Sequence, residues 1–146
     1  MTRVLLVDDH ALVRAGLAAL LGSAERIEVV GAAADGREGV DLAVQLQPDV
    51  VLMDLSMPVM DGLAATRLIR QALPSSQVVV LTSFADHHRG VQALAAGAVA
   101  YLLKDCDPTD IIAAVRAAAG GRAPLTPHLP SPRWHEVVRQ LPRQLR

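Results

Sequence analysis

Five short apolar runs alternate along this chain with five stretches of helical period, and that alternation is what most restricts its fold. The runs are 3–7, 27–33, 50–54, 78–82 and 99–103, and the intervening helices are expected at 10–21, 37–45, 62–71, 86–96 and 108–119. Strand, helix, strand repetition at this spacing builds a parallel sheet, because each strand must return by a crossover to start again in the same direction. Right-handed crossovers then cover both faces with helices. In the first helix Leu12, Val13, Leu17, Leu20 and Leu21 form the expected apolar stripe, and Gly22-Ser23 follow as a stop. Asp107 and Pro108 read as N-cap and first turn of the last helix, which Gly120-Gly121 end.

Chemistry collects at the strand ends. The first strand runs into Asp8-Asp9, the third ends on Asp54, the fourth on Thr82, and the fifth runs into Lys104. The pattern predicts a flavodoxin-like (βα)5 fold with strand order 2-1-3-4-5. Strands one and three are then neighbours, and the C-terminal edge of the sheet is where such folds place their sites. Asp8, Asp9 and Asp54 are expected to meet there. Clustered carboxylates repel one another unless a cation or proton resolves them, and Mg²⁺ with a few carboxylates, a backbone carbonyl and water does so. Asp54 beside such a cation is a candidate nucleophile toward phosphorus, with a hydrogen bond from Thr82 and the charge of Lys104 available to equatorial oxygens. Read singly, each residue has a bland account: a turn or cap for Asp8 or Asp9, a β-former in Thr82, a solvated strand end in Lys104. Their coincidence at four strand ends is what argues for a site. Asp61-Gly62 reads as turn and N-cap of the third helix, outside the acid cluster. His10, His87, His88, His128 and His135 show no metal-ligand spacing and read as surface or capping groups.

Composition limits the alternatives. Apolar residues make up 51% of 146, enough for one sizeable core, and only 2% are aromatic, so that core is aliphatic. Residues 1–120 carry nine basic and fourteen acidic groups, and 121–146 carry five and one. Cys106 is the single cysteine, which excludes an intrachain disulfide and multi-cysteine zinc sites and favours a reducing, cytoplasmic setting. The start of the chain lacks the pattern of a signal peptide, and no apolar run reaches the ~20 residues of a membrane helix.

Several segments together resemble the receiver domain of two-component response regulators of the NarL/FixJ subfamily. These are Val4 to His10, Asp49 to Pro58, Asp61-Gly62, Val80 to Thr82, and Gly97-Ala98 with Tyr101 to Asp105. The resemblance covers 1 to about 120. It implies phosphorylation of Asp54 by a partner histidine kinase, and Mg²⁺ held directly by Asp9, Asp54 and the Ser56 carbonyl and through water by Asp8. It implies a switch pair, Thr82 and Tyr101, and an output face formed by helix four, strand five and helix five. Catalysis is then limited to accepting the phosphoryl group and slowly losing it, and phosphorylation can lead to a homodimer. Asp105 follows the lysine where many receivers have proline, as is usual in this subfamily, and Ala100 replaces a frequent glycine. Ser56 and Phe84 stand beside the site and are placed to tune access of water.

Residues 121–146 hold five of the nine prolines and read as a basic linker. Only Ser131-Pro132-Arg133 and Glu136 to Arg139 with Leu141 are similar to the first helix of a LuxR-type output domain, and Pro142 ends it. A truncated NarL/FixJ-type transcriptional regulator is therefore the alternative role, and DNA binding by this chain alone is not expected. Trp134, Val137, Val138, Leu141 and Leu145 share a helical face that could meet a partner or an anionic surface. Two enzyme or cofactor readings are weaker. A haloacid-dehalogenase-type phosphatase needs a second carboxylate where Ser56 stands. A cobalamin-binding loop needs glycine where Val13 stands.

Overall fold

The computed structural model describes residues 1–83 and 87–121. Phe84, the expected helix start at Asp86 and the segment 122–146, with its helix-like face, His128 and His135, lie outside the described residues. The elements are β1 (Thr2–Val7), α1 (Ala11–Gly22), β2 (Ile27–Ala33), α2 (Gly36–Leu46), β3 (Val50–Asp54), α3 (Gly62–Ala72), β4 (Gln77–Thr82), α4 (His87–Ala95), β5 (Ala100–Leu103) and α5 (Pro108–Ala119). All strand pairs are parallel and the order is β2-β1-β3-β4-β5, as expected from the alternation. Element boundaries differ from the sequence reading by at most one residue.

Side chains alternate across the sheet, and each set meets its own helices. Val4, Leu6, Val50, Leu52, Val79, Leu81 and Leu102 pack with Leu21, Ile111, Ala114, Val115 and Ala118, so α1 and α5 cover one face. Leu5, Val7, Val51, Met53, Val78 and Val80 pack with Ala43, Ala65, Ile69 and Ala93, so α2, α3 and α4 cover the other. β3 is buried over its whole length because it lies at the centre of the sheet with helices on both sides. Close approach of small residues lets α3 reach the end of that strand. A Cβ on Gly62 would run into the Asp54 carbonyl and come within 2.8 Å of Leu55 Cα.

The α1 stripe needs one correction. Leu17 and Leu20 are partly buried and Leu21 fully, but Leu12 is 86% exposed. It lies in the first turn, directly after the strand end, and only the later turns of the helix lie over the sheet.

Candidate functional site

Strand register brings the predicted residues together. Val7 pairs with Met53, so the next residues, Asp8 and Asp54, emerge side by side. Asp54 pairs with Leu81 and Thr82 with Leu103, and Lys104 N–H donates to the Thr82 carbonyl at 2.8 Å. The Lys104 side chain returns over the edge, placing Nζ 3.1 Å from Asp54 Oδ1 and 3.3 Å from Asp8 Oδ2.

Asp8 and Asp54 are buried, at 2% and 4% exposure, where unpaired charge is costly. Asp8 is held by local bonds: the His10 backbone N–H donates to Oδ1 at 2.8 Å, and Arg14 donates to the Asp8 carbonyl at 2.6 Å. Asp54 has one oxygen against Lys104, while the other, Oδ2, is buried and has no hydrogen-bond partner. Burial pushes the Asp54 carboxyl above the usual range; the Lys104 hydrogen bond and charge oppose this, and the neighbouring charges of Asp8 and Asp9 reinforce it. Burial also works against the Lys104 ammonium, but the hydrogen bond and charge of Asp54, with Asp8, outweigh it and hold Lys104 above its ordinary value.

The carboxylates fit a hard cation. Oxygens of Asp8, Asp9 and Asp54 and a ring nitrogen of His10 lie within 4.8 Å of one another. An orphaned buried Asp54 oxygen among them is what a cation would satisfy. The sequence reading of His10 as a surface or capping group holds, but its ring nitrogen also lies within the carboxylate group, which the spacing of the histidines does not indicate. Its ring is 65% exposed at the N-cap position of α1, yet Nδ1 lies 3.0 Å from Asp9 Oδ1 and 3.3 Å from Asp8 Oδ1. Adjacency to Asp9 was the available signal.

Asp61 caps α3, accepting from Ala64 N–H at 3.0 Å, and stays outside the carboxylate group, as expected. Its second oxygen pairs with Arg89 of α4 at 3.3 Å. Arg89 also donates to Ser56 Oγ at 3.1 Å and to the Leu55 carbonyl at 3.2 Å, tying α4 to the loop after Asp54. Nothing in the sequence pointed to Arg89, 35 positions downstream of that aspartate. The same loop holds Val59 at φ +69, a strained setting for a β-branched residue. Thr82 is buried, and its hydroxyl donates weakly to the Ser83 carbonyl at 3.4 Å. Tyr101 is buried at 3% exposure. Cys106 stands beyond the lysine; burial first, then the charges of Asp110 and Asp105, push its thiol up to about 11, so it stays protonated and unreactive near neutral pH.

Among known proteins, residues 4–116 match the response regulator receiver domain family. The transcriptional regulatory protein LiaR of Bacillus subtilis is 51% identical over 125 residues, covering 86% of this chain and 59% of LiaR. The response regulator protein VraR of Staphylococcus aureus is 42% identical over 127 residues, covering 87% of this chain and 61% of VraR. The chain thus spans about three fifths of the length of these relatives. The receiver domain of the NarL regulator of Mycobacterium tuberculosis superposes with a TM-score of 0.78 at 38% identity, covering 83% of this chain and 98% of that one. A LuxR-family response regulator from Aurantimonas does so with a TM-score of 0.84 at 33% identity, covering 96% of each chain. Receivers of this kind bind Mg²⁺ at an acidic pocket, interact with histidine kinases, in many cases dimerise, and are not enzymes in the ordinary sense. No helix among the described residues is long and apolar enough to cross a membrane. With its fold, its matched residues and its close relatives in agreement, this chain belongs to the response regulator receiver domain family.

Proposed function

We propose that this chain accepts a phosphoryl group on Asp54 from a histidine kinase, with Mg²⁺, and relays its presence to the α4-β5-α5 face. The observation that carries this reading is the state of Asp54. One oxygen is clamped by Lys104 at 3.1 Å, and the other is buried without a hydrogen bond among further carboxylates. Asp9, Asp54 and the Ser56 carbonyl would hold Mg²⁺, with Asp8 acting through water, and the ion would supply positive charge to the carboxylates and to the phosphoryl oxygens. An Asp54 oxygen forms the new bond to phosphorus as the bond to the kinase imidazole nitrogen breaks; that nitrogen keeps the electron pair. Lys104 balances charge on a phosphoryl oxygen while remaining tethered by Asp8. The Thr82 hydroxyl, bound only weakly to Ser83, turns to another phosphoryl oxygen, and Tyr101 fills the space behind it. Contacts made only in that arrangement shift its population.

The setting is cytoplasmic, and phosphorylation promotes a homodimer. Residues 121–146 form a linker in this reading. Relatives named transcriptional regulatory proteins support a second reading, in which the chain is the receiver part of a transcriptional regulator that reads DNA elsewhere. A phosphatase reading has no support, since Ser56 offers a hydroxyl engaged by Arg89 where an acid is needed.

The test is mass spectrometry of the intact protein and its peptides after incubation with acetyl phosphate. The expected result is an acid-stable, base-labile adduct on Asp54 that requires Mg²⁺ and is absent from Asp54→Ala. No adduct in the wild type at any metal concentration, or one that persists in Asp54→Ala, would overturn the assignment.

A further inference from the structure

We propose that Gly90 is a positioning residue that keeps the Tyr101 ring buried, so that the side chain at this point of α4 sets which way the ring points. The inference rests on the reading of Tyr101 as a switch residue and goes beyond it by assigning the ring's resting position to a residue outside the site.

Glycine is among the poorest helix formers and alanine the best, so its presence in α4 asks for a reason. Tyr101 supplies one. It pairs with Val80 in the sheet, on the face that α4 covers, and is 3% exposed. A Cβ built on Gly90 would overlap Tyr101 Cδ2 and Cε2 and lie 2.9 Å from Cζ. These atoms form one side of a rigid ring, not the far end of a flexible chain. Relief requires the ring to leave by rotation about its side-chain torsions, or the helix to retreat.

Retreat is opposed on both sides of Gly90. Arg89 binds Ser56 Oγ, the Leu55 carbonyl and Asp61, and Val91 and Ala93 are buried at 5% and 0% exposure. The ring therefore yields first. Burial also pushes the Tyr101 phenol up to about 12, as a sheltered ring requires. The functional consequence is one of populations. A phosphoryl group shifts the ring only by its differential contacts with the two arrangements, so a chain with the ring already inward has part of that shift built in.

Tyr101 is the only tyrosine, so 3-fluorotyrosine incorporation into the full chain reports on this ring alone by ¹⁹F NMR. In the unphosphorylated wild type the resonance should be sheltered from a neutral gadolinium chelate. In Gly90→Ala the exposed population should rise by about tenfold or more. A ring equally sheltered in Gly90→Ala would overturn the proposal. Should that variant be poorly folded, the steric term is read from a double-mutant cycle. Gly90→Ala should lower Tm in the wild-type background and not in Tyr101→Ala, and an equal loss in both would overturn it. The switch reading fails separately. If phosphorylation with acetyl phosphate leaves the Gly90→Ala resonance exposed and unchanged while the Gly90 effect itself holds, then Tyr101 is positioned by Gly90 but does not report phosphorylation.

Discussion

The two halves of the site are built by different means. On one side Asp8 and Asp54 continue adjacent central strands, and their separation is set by backbone register between Val7 and Met53. On the other, α4 approaches the site through side chains: Arg89 reaches across to the Asp54 loop, and Gly90 makes room for Tyr101. A ladder of backbone bonds with core on both faces moves only with the whole domain, whereas side chains lying between a helix and the sheet, the Tyr101 ring among them, can rearrange while the helix stays in place. In the proposed reading the chemistry therefore sits on the stiff half, and the reporting of it on the half that can rearrange.

Three measurements would break or sharpen that contrast. The largest effect is expected in the stiff half. Leu52 is buried in β3 between β1 and β4, and Leu52→Ala should cost about 2–5 kcal/mol of unfolding free energy by denaturant titration. A loss confined to local opening would show that the strands are not the rigid partner. Next comes Arg89→Ala. Its global cost should be about 1 kcal/mol, but hydrogen exchange of α4 amides should quicken by about tenfold while those of β1 and β3 hold their rates. Uniform acceleration across the sheet would remove the distinction between the halves.

The smallest effect is a slope with pH. The folded Asp54 carboxyl lies above its unfolded value, so its contribution to stability is present below the ordinary carboxylate pKa and is lost as pH rises through the raised one. Without metal, Tm of the wild type should fall across that window relative to Asp54→Asn, and saturating Mg²⁺ should remove the difference. A flat difference would mean that Lys104 alone neutralises the cluster.

How legible these features were depends on what kind of force makes them. The strand ends at Asp8, Asp54, Thr82 and Lys104 could be read because each terminates an apolar run, and the crossover rules then allow few arrangements. Caps at Asp61 and Asp107 were legible for a local reason: a side-chain oxygen meets an N–H two or three residues ahead, at 3.0 Å in both cases. Leu12 misled because periodicity marks a helix face without saying how much of the helix the sheet covers. His10 reads as a surface or capping group because the five histidines show no metal-ligand spacing, although its ring comes near Asp54 once β1 and β3 pair.

What the sequence determined by itself was the periodicity, the caps and the chemical groups at the strand ends, since these follow from bonds and burial within one element or between consecutive ones. Tertiary structure alone decided that the His10 ring comes near Asp54, that Arg89 bridges to Ser56 and Asp61, and that Gly90 lies against Tyr101. Each of these depends on the distance between elements packed on the sheet, and local propensity carries no information about that distance.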